Sequence, residues 1–147
     1  QLLGEILGGD VVKSSPPEIG ILDITMHNEY FNDHLFGDFQ NKIKALQWHS
    51  YEVQNLEKIS NITLLGSSPT TKYQIFKYKN HAYGIQFHIE IKSNTVSQWA
   101  CVPEYENALE KSLGKGALYK FDKIAQENMK NMNFNAKNLY NNFKKLL

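Results

Sequence analysis

His88 and Glu90 have the types and the spacing of a proton-transfer pair, and they close the run YGIQFHIE. On a strand, residues two apart face the same side. An imidazole and a carboxylate would therefore project together, the arrangement that orients and charges a general base. The competing reading is an edge strand that ends in two solvated polar side chains. Position favours chemistry, because polar groups at the carboxyl end of a strand stand where open α/β sheets build their sites. A second polar closure is QWHSY, Gln47 to Tyr51. Here Trp48 and Tyr51 as packing, with His49 as a satisfied half-buried histidine, is the alternative. The third feature is Gln1, at the first turn of a short helix, where backbone N–H groups gather partial positive charge and bind anions or a developing oxyanion.

No nucleophile accompanies the pair. Cys101, the single cysteine, lies in WACVPE, which reads as a helical and buried setting. His27 and His34 stand in HNEYFNDHLFGD without a metal-ligand spacing, so that segment reads as a solvated loop and no metal site is assigned. LGKGAL is not a phosphate-binding loop, and no Gly-x-Ser-x-Gly elbow occurs.

The elements that must position these residues follow from apolar spacing. Leu2, Leu3, Ile6 and Leu7 recur at helical intervals, and Gly8-Gly9 supplies the stop. A Pro-containing loop follows a short strand, and EIGILDITM is a strand apolar on both faces. HNEYFNDHLFGDFQNKI lacks periodicity and is expected to be a surface connection, whereas KALQWHSYEV and NITLLGSSP are strand-like. KYQIFKYKNHAYGIQFHIEI alternates on both sides of a Lys79-Asn80 turn and reads as a hairpin. Helices begin near Thr95, break near Pro103, resume after Gly116, and end in a separate terminal helix capped by Asn135. The order of elements predicts a mixed α/β sheet.

Totals narrow the partners. The 147 residues suit one compact domain, with 41% hydrophobic and 21% charged side chains. A net charge of +1 offers no electrostatic case for nucleic acid or an anionic membrane. No apolar run approaches the roughly 20 residues that span a bilayer. With one cysteine and no basic n-region, the chain reads as cytoplasmic. It opens as a helix with no capping residue before it, as the C-terminal part of a larger domain would.

Taken in order, the segments resemble the class I, triad-type glutamine amidotransferase domain. QLLGEILGGDVV is similar to the helix that follows that family's Gly-x-Cys-x-Gly-x-Gln turn, with Gln1 as the last motif residue. LQWHSYEV resembles the loop that contacts the α-amino and α-carboxylate groups of glutamine. YGIQFHIE resembles the segment bearing the catalytic His and Glu, with Ile89 where the family usually has Pro. Trp48 and Trp99 most resemble the stand-alone, GMP synthase-like subgroup. The resemblance implies a flavodoxin-like, doubly wound mixed sheet, of which residues 1–147 are the C-terminal portion. It implies a nucleophilic Cys four residues before Gln1, within roughly 80 missing residues. It also implies His88 and Glu90 as catalytic residues, and Gln1, Ser50 and Tyr51 as substrate-binding residues. The implied reaction is hydrolysis of the glutamine side-chain amide, with no cofactor and with a synthetase partner receiving ammonia. Two alternatives stay open: a γ-glutamyl peptide or amide hydrolase with the same triad, and a catalytically dead regulatory or binding module.

Overall fold

The computed structural model describes residues 1–147, with side chains described at every position except 104, 108 and 112. A short helix α1 (Leu2–Ile6) leads into two long strands, β1 (Asp10–Met26) and β2 (Lys42–Gln54). Three shorter strands follow, β3 (Ile62–Ser67), β4 (Ile75–Tyr78) and β5 (Ala82–Ile85), and then helices α2 (Thr95–Ala100), α3 (Pro103–Leu113) and α4 (Ala117–Lys144). The sheet order is β2-β1-β3-β4-β5, and each neighbouring pair is antiparallel. The α/β class expected from the sequence holds, and the expected hairpin is β4–β5.

β1 is continuous where the sequence reading placed a loop. Pro16 and Pro17 have no N–H to donate, so the ladder loses register between Lys13 and Glu18 without ending the strand. Pairing resumes at Glu18 opposite His49. Glu18 is buried and bound on all sides. It accepts from the Thr70 hydroxyl (2.8 Å), from Gln74 Nε2 (2.7 Å) and from His49 Nε2 (3.1 Å). Burial pushes its carboxyl upward, but hydrogen bonds led by that from His49 outweigh it and bring the pKa down to about 2.

Two expectations fail for one reason, that tertiary packing outweighs local pattern. The segment from His27 to Asn41 is not a surface connection: Tyr30, Leu35, Phe36 and Phe39 are all buried in the main core. It forms a 3-10 turn (Asn28–Asn32) and further tight turns, in which apolar residues reach the core without a helical or strand period. Asp33 fastens it, taking hydrogen bonds from the Leu35 and Phe36 amides and from Lys77 (2.7 Å) and Tyr83 (3.1 Å). Nor does a new helix start at Asn135. α4 runs unbroken for 28 residues because Phe121, Ala125, Met132, Ala136 and Leu139 keep one packed stripe, and an interior Asn costs only a fraction of a kcal/mol. Near its end, Asn142 Nδ2 donates to the Leu35 carbonyl (3.0 Å) and to Asp38 (2.9 Å), tying the helix to that segment.

A second apolar cluster, built on Val53, Leu56, Tyr73 and Phe76, is covered by Leu3 and Leu7 of α1. The helix stops as expected, at Gly8 in the left-handed region. Its close seat depends on Gly4, where an added Cβ would stand 2.5 Å from a Val53 methyl.

Two outcomes follow for the full-length protein. Gly4→Ala lowers stability by about 1–3 kcal/mol in urea denaturation, whereas Leu2→Ala, at an exposed position, changes it by less than about 0.5 kcal/mol. The Glu18 carboxylate contributes about 3 kcal/mol at neutral pH, fully present above pH 4.5 and lost as pH falls toward 2. The urea midpoint of Glu18→Gln therefore starts lower at pH 6 and declines less on acidification than that of the parent.

Candidate active site

The hairpin strand expected to carry His88 and Glu90 ends earlier, at Ile85, because the chain leaves β4 there and crosses to β2. Beyond it Phe87 and Ile89 are buried, and His88 and Glu90 face the other way, toward solvent. The His88 backbone is pinned to β2 by a reciprocal pair, His88 N–H to the Leu46 carbonyl (2.8 Å) and Leu46 N–H to the His88 carbonyl (2.9 Å). His88 Nδ1 donates to Glu90 Oε1 at 2.6 Å, and the Ile89 amide donates to Glu90 Oε2 at 2.9 Å. The hydrogen bond from His88 holds the Glu90 carboxyl below its usual range, against the opposing effect of burial. With the Nδ1 proton so committed, Nε2 is left as the basic nitrogen of a half-exposed ring, the disposition of a general acid–base.

Aromatic side chains set the ring's pose. Trp99 of α2 meets His88 edge to face at 5.7 Å, and Trp48 of β2 meets Trp99 at 5.4 Å and 90°. Phe121 of α4 packs on Trp48 at 5.5 Å. The reading of Trp48 as packing thus holds, and the stack carries the rigidity of the helical layer to the histidine.

The three sequence segments singled out meet on one atom. Gln1 Nε2 donates to the Tyr51 carbonyl at 2.8 Å, and Gln86 Nε2 donates to the same oxygen at 3.1 Å. Gln86 lies two residues before His88, so the start of α1, the QWHSY stretch and the His–Glu segment form one cluster. Ser50 is exposed there, and the Tyr51 side chain is about half exposed.

Sequence reasoning passed over Gln86 and Glu18. Gln86 carried a legible signal, since residues 86, 88 and 90 share strand parity. Glu18 is an acid opening an otherwise apolar stretch. His49 is the satisfied histidine of the alternative reading, its side chain only 8% exposed. Cys101 corrects an expectation: it is exposed at the end of α2, where its thiol donates to the Ser97 carbonyl. It is the residue that caps α2, just past the helix's last residue, Ala100. His27 pairs with the Ser67 hydroxyl at 3.0 Å and His34 is exposed. Among the described residues, no three His, Cys, Asp or Glu side chains gather to hold a metal ion, and no helix is long and apolar enough to cross a membrane.

Beside Glu90 opens a groove of about 730 Å³, walled by Tyr83, Ile85 and Ile89 on one side and by Leu139, Tyr140 and Phe143 of α4 on the other.

The chain as a whole has known relatives. The chain is 32% identical over 93 residues to a glutamine-hydrolyzing GMP synthase subunit of Sulfolobus acidocaldarius, a match covering 63% of this chain and 47% of that protein. It superposes on the crystal structure of a glutamine amidotransferase from Thermotoga maritima with a TM-score of 0.78 and 25% identity, over 95% of this chain and 56% of that one. A glutamine amido transferase from Methylobacillus flagellatus shares the fold, with a TM-score of 0.75 and 18% identity over 99% of this chain and 59% of that one. The chain spans about half the length of the curated relatives it matches. Residues 1–99 match the family described as glutamine amidotransferase class-I, and the chain belongs to that family.

Proposed function

We propose that this chain is the C-terminal part of a class I glutamine amidotransferase domain that hydrolyses the side-chain amide of glutamine and passes the ammonia to a synthetase partner. The observation that carries the reading is the 2.6 Å pair of His88 and Glu90, joined through Gln86 and the Tyr51 carbonyl to the first residue of the chain. A cysteine four residues before Gln1 would lie within about 14 Å of it along even a fully extended chain.

In the proposed reaction His88 Nε2 takes the proton of the cysteine thiol, the resulting thiolate attacks the amide carbon, and the carbonyl oxygen takes up the electron pair. Backbone N–H groups at the start of α1 stabilise that oxyanion. The carbon–nitrogen bond breaks as His88 Nε2 delivers a proton to the leaving nitrogen, which departs as ammonia and leaves a γ-glutamyl thioester. His88 then takes a proton from water, whose oxygen attacks the thioester. The carbon–sulfur bond breaks, and glutamate and thiolate are released. Glu90 keeps Nδ1 protonated and stabilises the imidazolium in both halves. Gln1, Ser50 and Tyr51 hold the amino-acid end of the substrate. With the Tyr51 carbonyl already engaged by two amides, the exposed Ser50 hydroxyl and the neighbouring backbone are the groups left to meet it. No step calls on a metal or an organic cofactor.

In the full-length protein, His88→Ala lowers kcat for glutamine by about 10²–10⁴-fold with the fold intact by circular dichroism, and Glu90→Gln lowers it by less. Turnover of γ-glutamyl peptides in preference to glutamine would redirect the substrate assignment, and a residue other than Cys at the fourth position before Gln1 would leave a binding module. Residues 1–147 produced alone are expected to aggregate or to melt without a cooperative transition. β5 is an outer strand of the sheet, and the apolar groove beside it lies open. A soluble, cooperatively melting monomer would overturn the assignment of this chain as part of a larger domain.

A further inference from the structure

Behind the exposed His88–Glu90 pair lies a second histidine that the proposed reaction does not use. His49 faces Glu18 across the β1–β2 ladder and is almost fully enclosed. Its Nε2 stands 3.1 Å from Glu18 Oε2 and 3.1 Å from Gln47 Oε1, both acceptors. Gln86 Nε2 stands 3.1 Å from the ring's Nδ1 and 3.3 Å from the ring's Nε2. The Gln86 amide has only one workable orientation, because Tyr51 offers it a carbonyl oxygen at 3.1 Å and only the NH2 group can donate there. That NH2 has a second hydrogen to give the ring, and with His49 Nε2 already facing the Glu18 and Gln47 oxygens, Nδ1 is the ring nitrogen left to take it. The ring must then accept at Nδ1 and carry its proton on Nε2. Glu18 is in turn held by Thr70 and Gln74, and the Gln86 amide N–H donates to the Gln74 carbonyl at 3.0 Å, closing the network on itself.

We propose that Glu18, His49 and Gln86 form a buried positioning relay: the carboxylate selects the Nε2–H tautomer of His49, and that tautomer orients the Gln86 amide. The Gln86 amide then fixes the Tyr51 carbonyl against the segment that carries His88. The relay touches neither the reacting atoms nor the solvent-facing ring of His88. Its effect falls on the placement of the Ser50–Tyr51 stretch, and so on how tightly the amino-acid end of the substrate is held. This assignment of its kinetic consequence rests on the function proposed above, whereas the tautomer and the orientation of Gln86 do not.

The first arm of the test needs no activity. In 15N-labelled full-length protein, the His49 ring shows a protonated Nε2 and an unprotonated Nδ1 at neutral pH. Gln86→Met shifts or broadens the backbone amide resonances of Tyr51 and Glu52, which report loss of the anchor. A protonated Nδ1 in the parent would overturn the relay. The second arm is kinetic. Gln86→Met and His49→Leu each raise KM for glutamine about tenfold or more and change kcat by less than about threefold. His49→Asn, whose side-chain oxygen can take the place of Nδ1 as acceptor, restores most of the affinity, and His49→Gln does not. Unchanged KM in a folded His49→Leu protein would show a packing role alone and overturn the proposal. Should the parent not turn over glutamine, the function proposed above fails, and the nitrogen spectra still decide the relay.

Discussion

A single carbonyl oxygen, that of Tyr51, accepts hydrogen bonds from two side-chain amides that lie far apart in the chain, Gln1 and Gln86. Everything nearby is arranged so that this meeting can occur. α1 must sit close on β2 to bring Gln1 to it, which requires the bare Cα of Gly4 over Val53. The chain leaving β5 must deliver Gln86 at the right height, which is set by the reciprocal pairing of His88 with Leu46 two residues further on. The Tyr51 carbonyl leaves the Gln86 amide one orientation, with the enclosed Glu18 and His49 on its other side. Each of the two hydrogen bonds to Tyr51 lies at an exposed position and is worth about 1 kcal/mol on its own, whereas the enclosed Glu18 and His49 behind Gln86 are costly to leave unpaired.

The two histidine–carboxylate pairs in this protein show how surroundings divide one chemistry into two tasks. His49 and Glu18 are enclosed, and every polar direction of the ring is answered by a fixed partner. Such a pair holds geometry. His88 and Glu90 are open to solvent on one side, and only Nδ1 is engaged. Such a pair leaves a nitrogen free to exchange a proton. The stack from Phe121 through Trp48 to Trp99 supports the second pair without closing it off, because aromatic faces restrain the ring and make no claim on its remaining nitrogen.

Family membership places the cluster in context. Cys101 stands apart from it, exposed at the end of α2 with its thiol turned back on its own helix. The apolar groove between β5 and α4 borders Glu90 and Ile89 and leaves the His88 ring outside its walls.

Much of this is legible in the chain alone. His88 and Glu90 share strand parity, and parity is a local property that survives folding. The hairpin turn at Lys79-Asn80, the helix stop at Gly8 and the strand character of β2 are equally local, and each appears where spacing put it. Non-local facts are not legible. The stretch from His27 to Asn41 looks polar and aperiodic, yet its aromatics are core residues, because irregular backbone can aim side chains inward when a buried carboxyl such as that of Asp33 holds its turns. Asn135 has the type of a cap, but continuous packing on both sides of it carries α4 through. The sequence by itself determined the residue types, the parity of His88 and Glu90 and the periods of their supporting elements, since these depend on backbone geometry alone. Only the tertiary structure decided that Gln1, Tyr51 and Gln86 share one hydrogen-bonded centre and that Glu18 sits behind it. Hydrogen bonds between distant segments depend on register and burial, which no short stretch of chain contains.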